Sequence, residues 1–390
     1  FERSFALLQG GAGHFDDSAM TVDHDTSWYR EDGVRTELPD DFFSSRFYTD
    51  KILEYIRSGE DDDKPFFAYL AYTAPHWPLQ APAETIDKYR GQYDDGYDAL
   101  AEKRLMSLEQ IGLIEPGHIA PEQAYPETES WNNLSDEQKQ IDAREMETYA
   151  AMVDNMDYHI GRVLNYLDAS GQRDNTIVIF ISDNGAQGFG PGMARAFPQD
   201  WIDENFDTSF ENIGKINSYA YLGPHWARAS TAPMRMFKGF SSDGGLKVPA
   251  IISYPGKLEA RAGTFTNQLT TVLDLPATFL DIAKTTHPGT SYKGRQVHPY
   301  TGVSLLPFLN GESEIIHEPD DVVFVDLTAR QDCAERTKHI GRSINHPRIH
   351  QKLRLEQFNP MGHLLALPIH EIRQNRVLDV SEHMKGTVLD

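Results

Sequence analysis

The strongest constraint on the fold is a long amphipathic run that stops at a glycine and passes at once into a strand-like run. Met146, Tyr149, Val153, Met156, Ile160, Val163 and Leu167 recur at three- and four-residue intervals, the spacing of one face of an α-helix. Ser135 with Gln138 three residues later supplies a capping-box start, and Gly171 a stop. Asn175 and Thr176 then open TIVIFIS, a near-continuous, β-branched apolar run of the kind found where a strand is covered on both faces. A helix feeding a buried strand predicts an α/β layer architecture.

The alternation recurs. Phe47, Ile52, Tyr55 and Ile56 lie at helical spacing between Arg46 and Ile56, and Asp61 to Asp63 end the pattern. The aromatic-rich run from Pro65 to Tyr72 (PFFAYLAY) then predicts a buried strand. Further on, VPAIISY (Val248 to Tyr254) precedes a helix-like segment from Val272 to Ala283. Past Val325 the strand-like VVFVDL gives way to a polar tail, Thr328 to Asp390, for which no fold is predicted.

Composition excludes some partners. Lys plus Arg number 36 against 59 Asp plus Glu, a formal charge of −23, so the surface field repels nucleic acid and anionic membrane. No apolar run approaches the roughly 18 residues of a membrane span, and a soluble protein is expected, with cytoplasmic, periplasmic and secreted locations all open. The single cysteine, Cys333, rules out an internal disulfide and a cysteine-built zinc site. The opening FERSFALL has no initiator Met and no signal-peptide pattern, so it reads as a cut.

Three short segments could carry chemistry. TIVIFIS ends in Ser182-Asp183-Asn184-Gly185, and α/β sheets bind ligands just outside the C-terminal ends of their strands. Asp183 and Asn184 offer one charged and one neutral oxygen, suited to a hard divalent cation; the same four residues also suit a plain turn. His76, held between Pro75 and Pro78 in TAPHWPLQAP, could protonate a leaving group near neutral pH, or simply bond the backbone of its loop. Lys238 precedes Asp243-Gly244-Gly245 and could neutralise a tetrahedral anion approached by glycine backbone, or be a solvated surface lysine.

Taken together, KPFFAYLAYTAPHWPLQAP (Lys64 to Pro82), NTIVIFISDNGA (Asn175 to Ala186), STAPMRMFKGFSSDGGLKVPAIISYPG (Ser230 to Gly256) and YAAMVDNMDYHIGRVLNYL (Tyr149 to Leu167) resemble, in order and spacing, the sulfatase family, specifically bacterial-type arylsulfatases. The resemblance runs from about Phe1 to Leu309. It implies an alkaline-phosphatase-like sandwich, a large mixed β-sheet between helices, incomplete at its N-terminus. It implies a catalytic domain over 1–325 and a divergent tail over 326–390. By position, His76 matches the family histidine that contacts the sulfate and protonates the departing alcohol. Lys238 matches the lysine that holds a sulfate oxygen, and Asp183 and Asn184 match two ligands of Ca2+, with Mg2+ as the alternative ion. The implied substrate is a small sulfate ester.

The departures from the family bear on activity. Its nucleophile is a formylglycine hydrate made from a Cys/Ser-x-Pro-x-Arg sequence, and that sequence is absent here, as are two further acidic metal ligands and a Lys-x-His segment. Cys333 is followed by AERT, without proline; Thr231-Ala232-Pro233-Met234-Arg235 fits the pattern only with threonine in first place, and oxidation of threonine at Cβ would give a ketone. The chain by itself is therefore expected to be inactive. A phosphonate monoester hydrolase or phosphodiesterase of the same superfamily is a second reading, and a non-catalytic protein that keeps an anion-binding site is a third.

Overall fold

Three short antiparallel strands open the chain: β1 (Phe5–Leu7), β2 (Tyr29–Glu31) and β3 (Val34–Thr36), paired in that order with Ala6 opposite Arg30 and Arg30 opposite Arg35. Asp32 and Gly33 turn β2 into β3 with φ of 49° and 82°, the left-handed pair that a two-residue hairpin requires. The structure is a computed structural model that describes residues 1–59, 64–117, 130–190, 198–240, 242–318, 321–326 and 364–368.

After the hairpin come α1 (Ser44–Ser58), α2 (Ala83–Ile86), α3 (Gly96–Gln110) and α4 (Asp136–Ala169). Strand β4 (Val178–Ile181) follows, then α5 (Gln199–Asn205), α6 (Gly223–Thr231), α7 (Asp243–Leu246) and β5 (Ala250–Ser253). Helix α8 (Asp274–Ile282), the hairpin of β6 (Ser291–Tyr292) and β7 (Arg295–Gln296), and α9 (Leu306–Leu309) lead to β8 (Val322–Asp326), which pairs antiparallel with β9 (Leu364–Pro368). The rest of the 326–390 tail, Cys333 included, lies outside the described residues. Among the described residues no helix is long and apolar enough to cross a membrane.

The chain divides into two units. The first takes Phe1–Thr176, Ile181–Lys238 and Gly244–Ala250. Its main core gathers Trp77, Leu79, Ile86, Met152, Ile202 and Tyr219, and a second cluster packs Tyr29, Phe42 and Tyr48 under the N-terminal hairpin. Helix α4 starts as its sequence predicts: Ser135 Oγ accepts the Gln138 N–H at 3.1 Å. It packs on α1, to which Arg162 donates a hydrogen bond at Asp50 Oδ1, 2.6 Å. The second unit takes Ile177–Phe180, Gly239–Asp243 and the described part of Ile251–Asp390. There β4 pairs with β5, and Asp274, fully buried, ties the start of α8 to Val303 and His317.

Two expectations need correction. The buried face of α4 carries Met146, Thr148, Ala151, Met152, His159 and Leu167, whereas Val153 is 38% exposed. Met146 and Leu167 bury as the spacing predicts, but small and polar positions, Thr148, Ala151 and His159, share the face with them, so bulk alone does not mark it. The run Pro65 to Tyr72 forms no strand, and Phe66, Phe67 and Tyr69 are 40%, 58% and 70% exposed. An aromatic run favours extended backbone, but a strand exists only where a neighbour completes its ladder, and none does so among the described residues.

Candidate active site

His76 leaves the core on a turn whose next residue is an anchor: Trp77 is 5% exposed, and the His76 N–H returns to the Thr73 carbonyl at 3.0 Å. The peptide bonds Ala74–Pro75 and Trp77–Pro78 are both cis. The ring Nδ1 lies 2.8 Å from the Trp77 carbonyl. A carbonyl only accepts, so Nδ1 carries the proton and Nε2 is left as the outward, basic nitrogen. Facing Nε2 at 3.4 Å is the Nζ of Lys238.

Lys238 reaches this position through backbone contacts. Its N–H donates to the Ala186 carbonyl at 3.0 Å, joining its segment to the loop of Asp183 and Asn184. Gly185 and Gly244 allow that approach: a Cβ on Gly185 would sit 1.7 Å from the Gly244 carbonyl oxygen, and one on Gly244 would sit 1.9 Å from that of Met236. At Gly244 the space a side chain would fill is taken by the backbone of Arg235 and Met236.

The electrostatics follow from this crowding. Burial chiefly holds His76 below its ordinary value, and Lys238 adds to the effect, while the Trp77 carbonyl and Asp183 oppose it. Burial also lowers Lys238, against the pull of Asp183. Asp183 is thus close enough to act on both groups, though its own side chain is exposed. The Asn184 NH2 group donates to the Gly185 carbonyl at 3.1 Å, so Oδ1 is the atom it can offer to a cation.

His76, Lys238, Asp183 and Asn184 all belong to the first unit, and the first three act on one another. Asp183 and Asn184 fit a hard divalent cation by donor chemistry. They supply two of the six to eight oxygens that calcium takes, and among the described residues no group of three or more His, Cys, Asp or Glu side chains gathers around a common point. Thr231 is buried at 5%, and its hydroxyl bonds the carbonyls of Ala227, Arg228 and Met236, which makes it part of the end of α6. His14 was not foreseen. It is 1% exposed, and its Nε2 lies 3.0 Å from the His76 carbonyl. No spacing or neighbouring residue type distinguishes it among 15 histidines.

Comparison with known proteins bears on the family and the fold. The sulfatase family model matches residues 5–285. An uncharacterized sulfatase of Schizosaccharomyces pombe is 41% identical over 307 residues, 76% of this chain and 54% of that protein. An arylsulfatase of Klebsiella aerogenes is 37% identical over 311 residues, 78% of this chain and 65% of the relative. The multifunctional alkaline phosphatase superfamily protein PehA of Trinickia caryophylli is 33% identical over 155 residues, 39% of this chain and 29% of its own. Two crystal structures of Ps i-CgsB, free and in complex with k-i-k-neocarrahexaose, match with TM-scores of 0.51 and 0.50 at 19% and 18% identity, over 84% of this chain and 53% of theirs. The α/β fold is of the alkaline-phosphatase type. The chain spans between about half and two thirds of the length of the first two curated relatives it matches.

Proposed function

The chain belongs to the sulfatase family, and from that premise we propose that it supplies the leaving-group side of a sulfuric ester hydrolase of arylsulfatase type, acting on small sulfate monoesters. The observation that carries this reading is the approach of His76 Nε2 to Lys238 Nζ, 3.4 Å, beside the Asp183-Asn184 loop. The catalytic domain is proposed to span 1–325, with 326–390 as a separate tail.

Without substrate, Lys238 donates toward the Nε2 lone pair and keeps His76 neutral. A sulfate ester oxygen entering between them takes over the lysine's hydrogen bond, and its negative charge favours protonation of Nε2. Lys238 then offsets charge on the sulfate oxygens, and His76 delivers the Nε2 proton to the departing alkoxide or phenoxide. The bond to Trp77 fixes the ring so that the acidic nitrogen is the outward one. The family uses a divalent metal. In the proposed site that ion is Ca2+, with Mg2+ as the alternative, held in part by Asp183 and Asn184, where it would neutralise further sulfate charge. The nucleophile that completes the reaction, a formylglycine hydrate, has no precursor sequence in these 390 residues.

Hydrolysis of 4-nitrophenyl sulfate by the natural full-length protein tests the proposal, with loss of activity expected on His76→Ala and Lys238→Ala. The similarity to PehA, named as a multifunctional alkaline phosphatase superfamily protein, keeps that superfamily's chemistry in view, and the competing reading within it is a phosphonate monoester hydrolase or phosphodiesterase. A higher kcat/KM on a phenyl phosphonate monoester than on the sulfate would decide for it, and anion binding without turnover would mark a non-catalytic protein.

A further inference from the structure

We propose that His14 is a positioning residue for His76: from beneath the His76 turn it fixes the His76 carbonyl, and thereby the direction in which the imidazole presents Nε2. This inference rests on reading His76 as the proton donor to the leaving group.

Every polar atom of His14 is engaged. Its N–H donates to Gln80 Oε1 at 2.7 Å, its carbonyl accepts the Ser44 N–H at 2.8 Å, its Nδ1 lies 2.7 Å from Ser44 Oγ, and its Nε2 lies 3.0 Å from the His76 carbonyl. Only one tautomer satisfies this set. The His76 carbonyl cannot donate, so His14 Nε2 carries the proton; Nδ1 then accepts from the Ser44 hydroxyl. The ring stays neutral, because burial pushes it down to about 4. Both partners are themselves held. Ser44 begins α1 and is 1% exposed, and Gln80, 2% exposed, donates to the Ser218 carbonyl at 3.0 Å.

Two successive carbonyls therefore orient the active imidazole. That of Trp77 bonds the ring, and that of His76 is bonded by His14. If the His14 donor is removed, a carbonyl inside the fold loses its partner, and the peptide between His76 and Trp77 turns to regain one. The ring, tied to the next carbonyl, turns with it and leaves Lys238. A displacement of about 1 Å at a reacting group can cost on the order of 10²-fold in rate.

The test uses His14→Leu, which removes the donor, and His14→Gln, whose amide N–H can still reach the His76 carbonyl. In the natural full-length protein His14→Leu should lower kcat by about 10- to 100-fold with KM little changed, and His14→Gln should restore most of it. Combined with His76→Ala, His14→Leu should cost nothing further; a full additional loss would overturn the proposal. Independently of turnover, the His76 ring resonances in NMR should shift in His14→Leu and return in His14→Gln. Unchanged resonances would overturn the proposal whatever reaction the protein performs. If His76→Ala leaves hydrolysis intact, the reading of His76 as the acid fails, and the resonances alone still decide whether His14 positions it. Should His14→Leu not fold, Ser44→Ala, which releases the far side of the His14 ring, should displace the same resonances.

Discussion

Lys238 Nζ lies 3.4 Å from His76 Nε2 across 162 residues of sequence. Two groups that each favour a positive charge are held against one another, and the fold resolves the conflict by lowering both. An anion between them would remove the conflict, which is why, in the proposed function, the pair receives a tetrahedral oxyanion and passes it a proton.

Substituting Lys238→Met should raise the His76 pKa, because the ammonium is one of the influences holding it down. Inorganic sulfate should raise it in the unsubstituted protein by the same logic. NMR titration of the His76 ring would show both shifts; a value that stays fixed or falls in Lys238→Met would break the electrostatic link between the two residues.

In the natural full-length protein, His76→Ala should penalise esters by the basicity of their leaving group. General-acid help is typically worth about 10²- to 10⁴-fold, and it matters least for a leaving oxygen that is already acidic. Alkyl sulfates should therefore lose far more turnover than 4-nitrophenyl sulfate. An equal loss across a leaving-group series would assign His76 to binding alone.

Acid should destabilise the first unit through His14. Folded, burial pushes the ring down to about 4 from its ordinary 6.5, so between those values the unfolded chain binds the extra proton. This contribution to stability is complete above pH 6.5 and is lost as pH falls toward 4. The gap corresponds to about 3 kcal/mol at most. His14→Gln does not titrate, so urea unfolding from pH 7 to 4 should show a shallower fall in that variant; parallel curves would place the acid sensitivity elsewhere.

Asp274 ties three donors of the second unit together. Completely buried, it accepts from the Thr271 N–H at 2.7 Å, the Val303 N–H at 3.0 Å and His317 Nε2 at 3.0 Å. Asp274→Ala removes the shared acceptor of these three donors and should cost roughly 3–5 kcal/mol. Asp274→Asn keeps the acceptor toward one of them and should cost less. Chemical denaturation followed on probes in α8 and α9 would measure the difference, and equal losses would show that shape rather than bonding matters there.

Local chemistry was legible wherever the signal was periodic or capping. The Ser135–Gln138 cap and the extent of α4 follow from the sequence, and the segment Val272 to Ala283 contains α8. The face of α4 was less legible, since Thr148, Ala151 and His159 bury where bulk would point to Val153. PFFAYLAY misled because apolar composition reports an affinity for cover, whereas a strand needs a specific neighbour. At the site, His76, Lys238 and Asp183 each had an ordinary reading, and only the resemblance among long segments set them side by side. His14 stayed hidden because its importance lies in hydrogen bonds to Ser44, His76 and Gln80, which no linear pattern encodes.

Gly185 and Gly244 meet backbone to backbone, so the loop bearing Asp183 and the segment bearing Lys238 have no side chain between them to vary. A side chain at either glycine would have to push the two backbones apart, so the close approach of the Asp183 loop to the segment after Lys238 tolerates no other residue at these two positions.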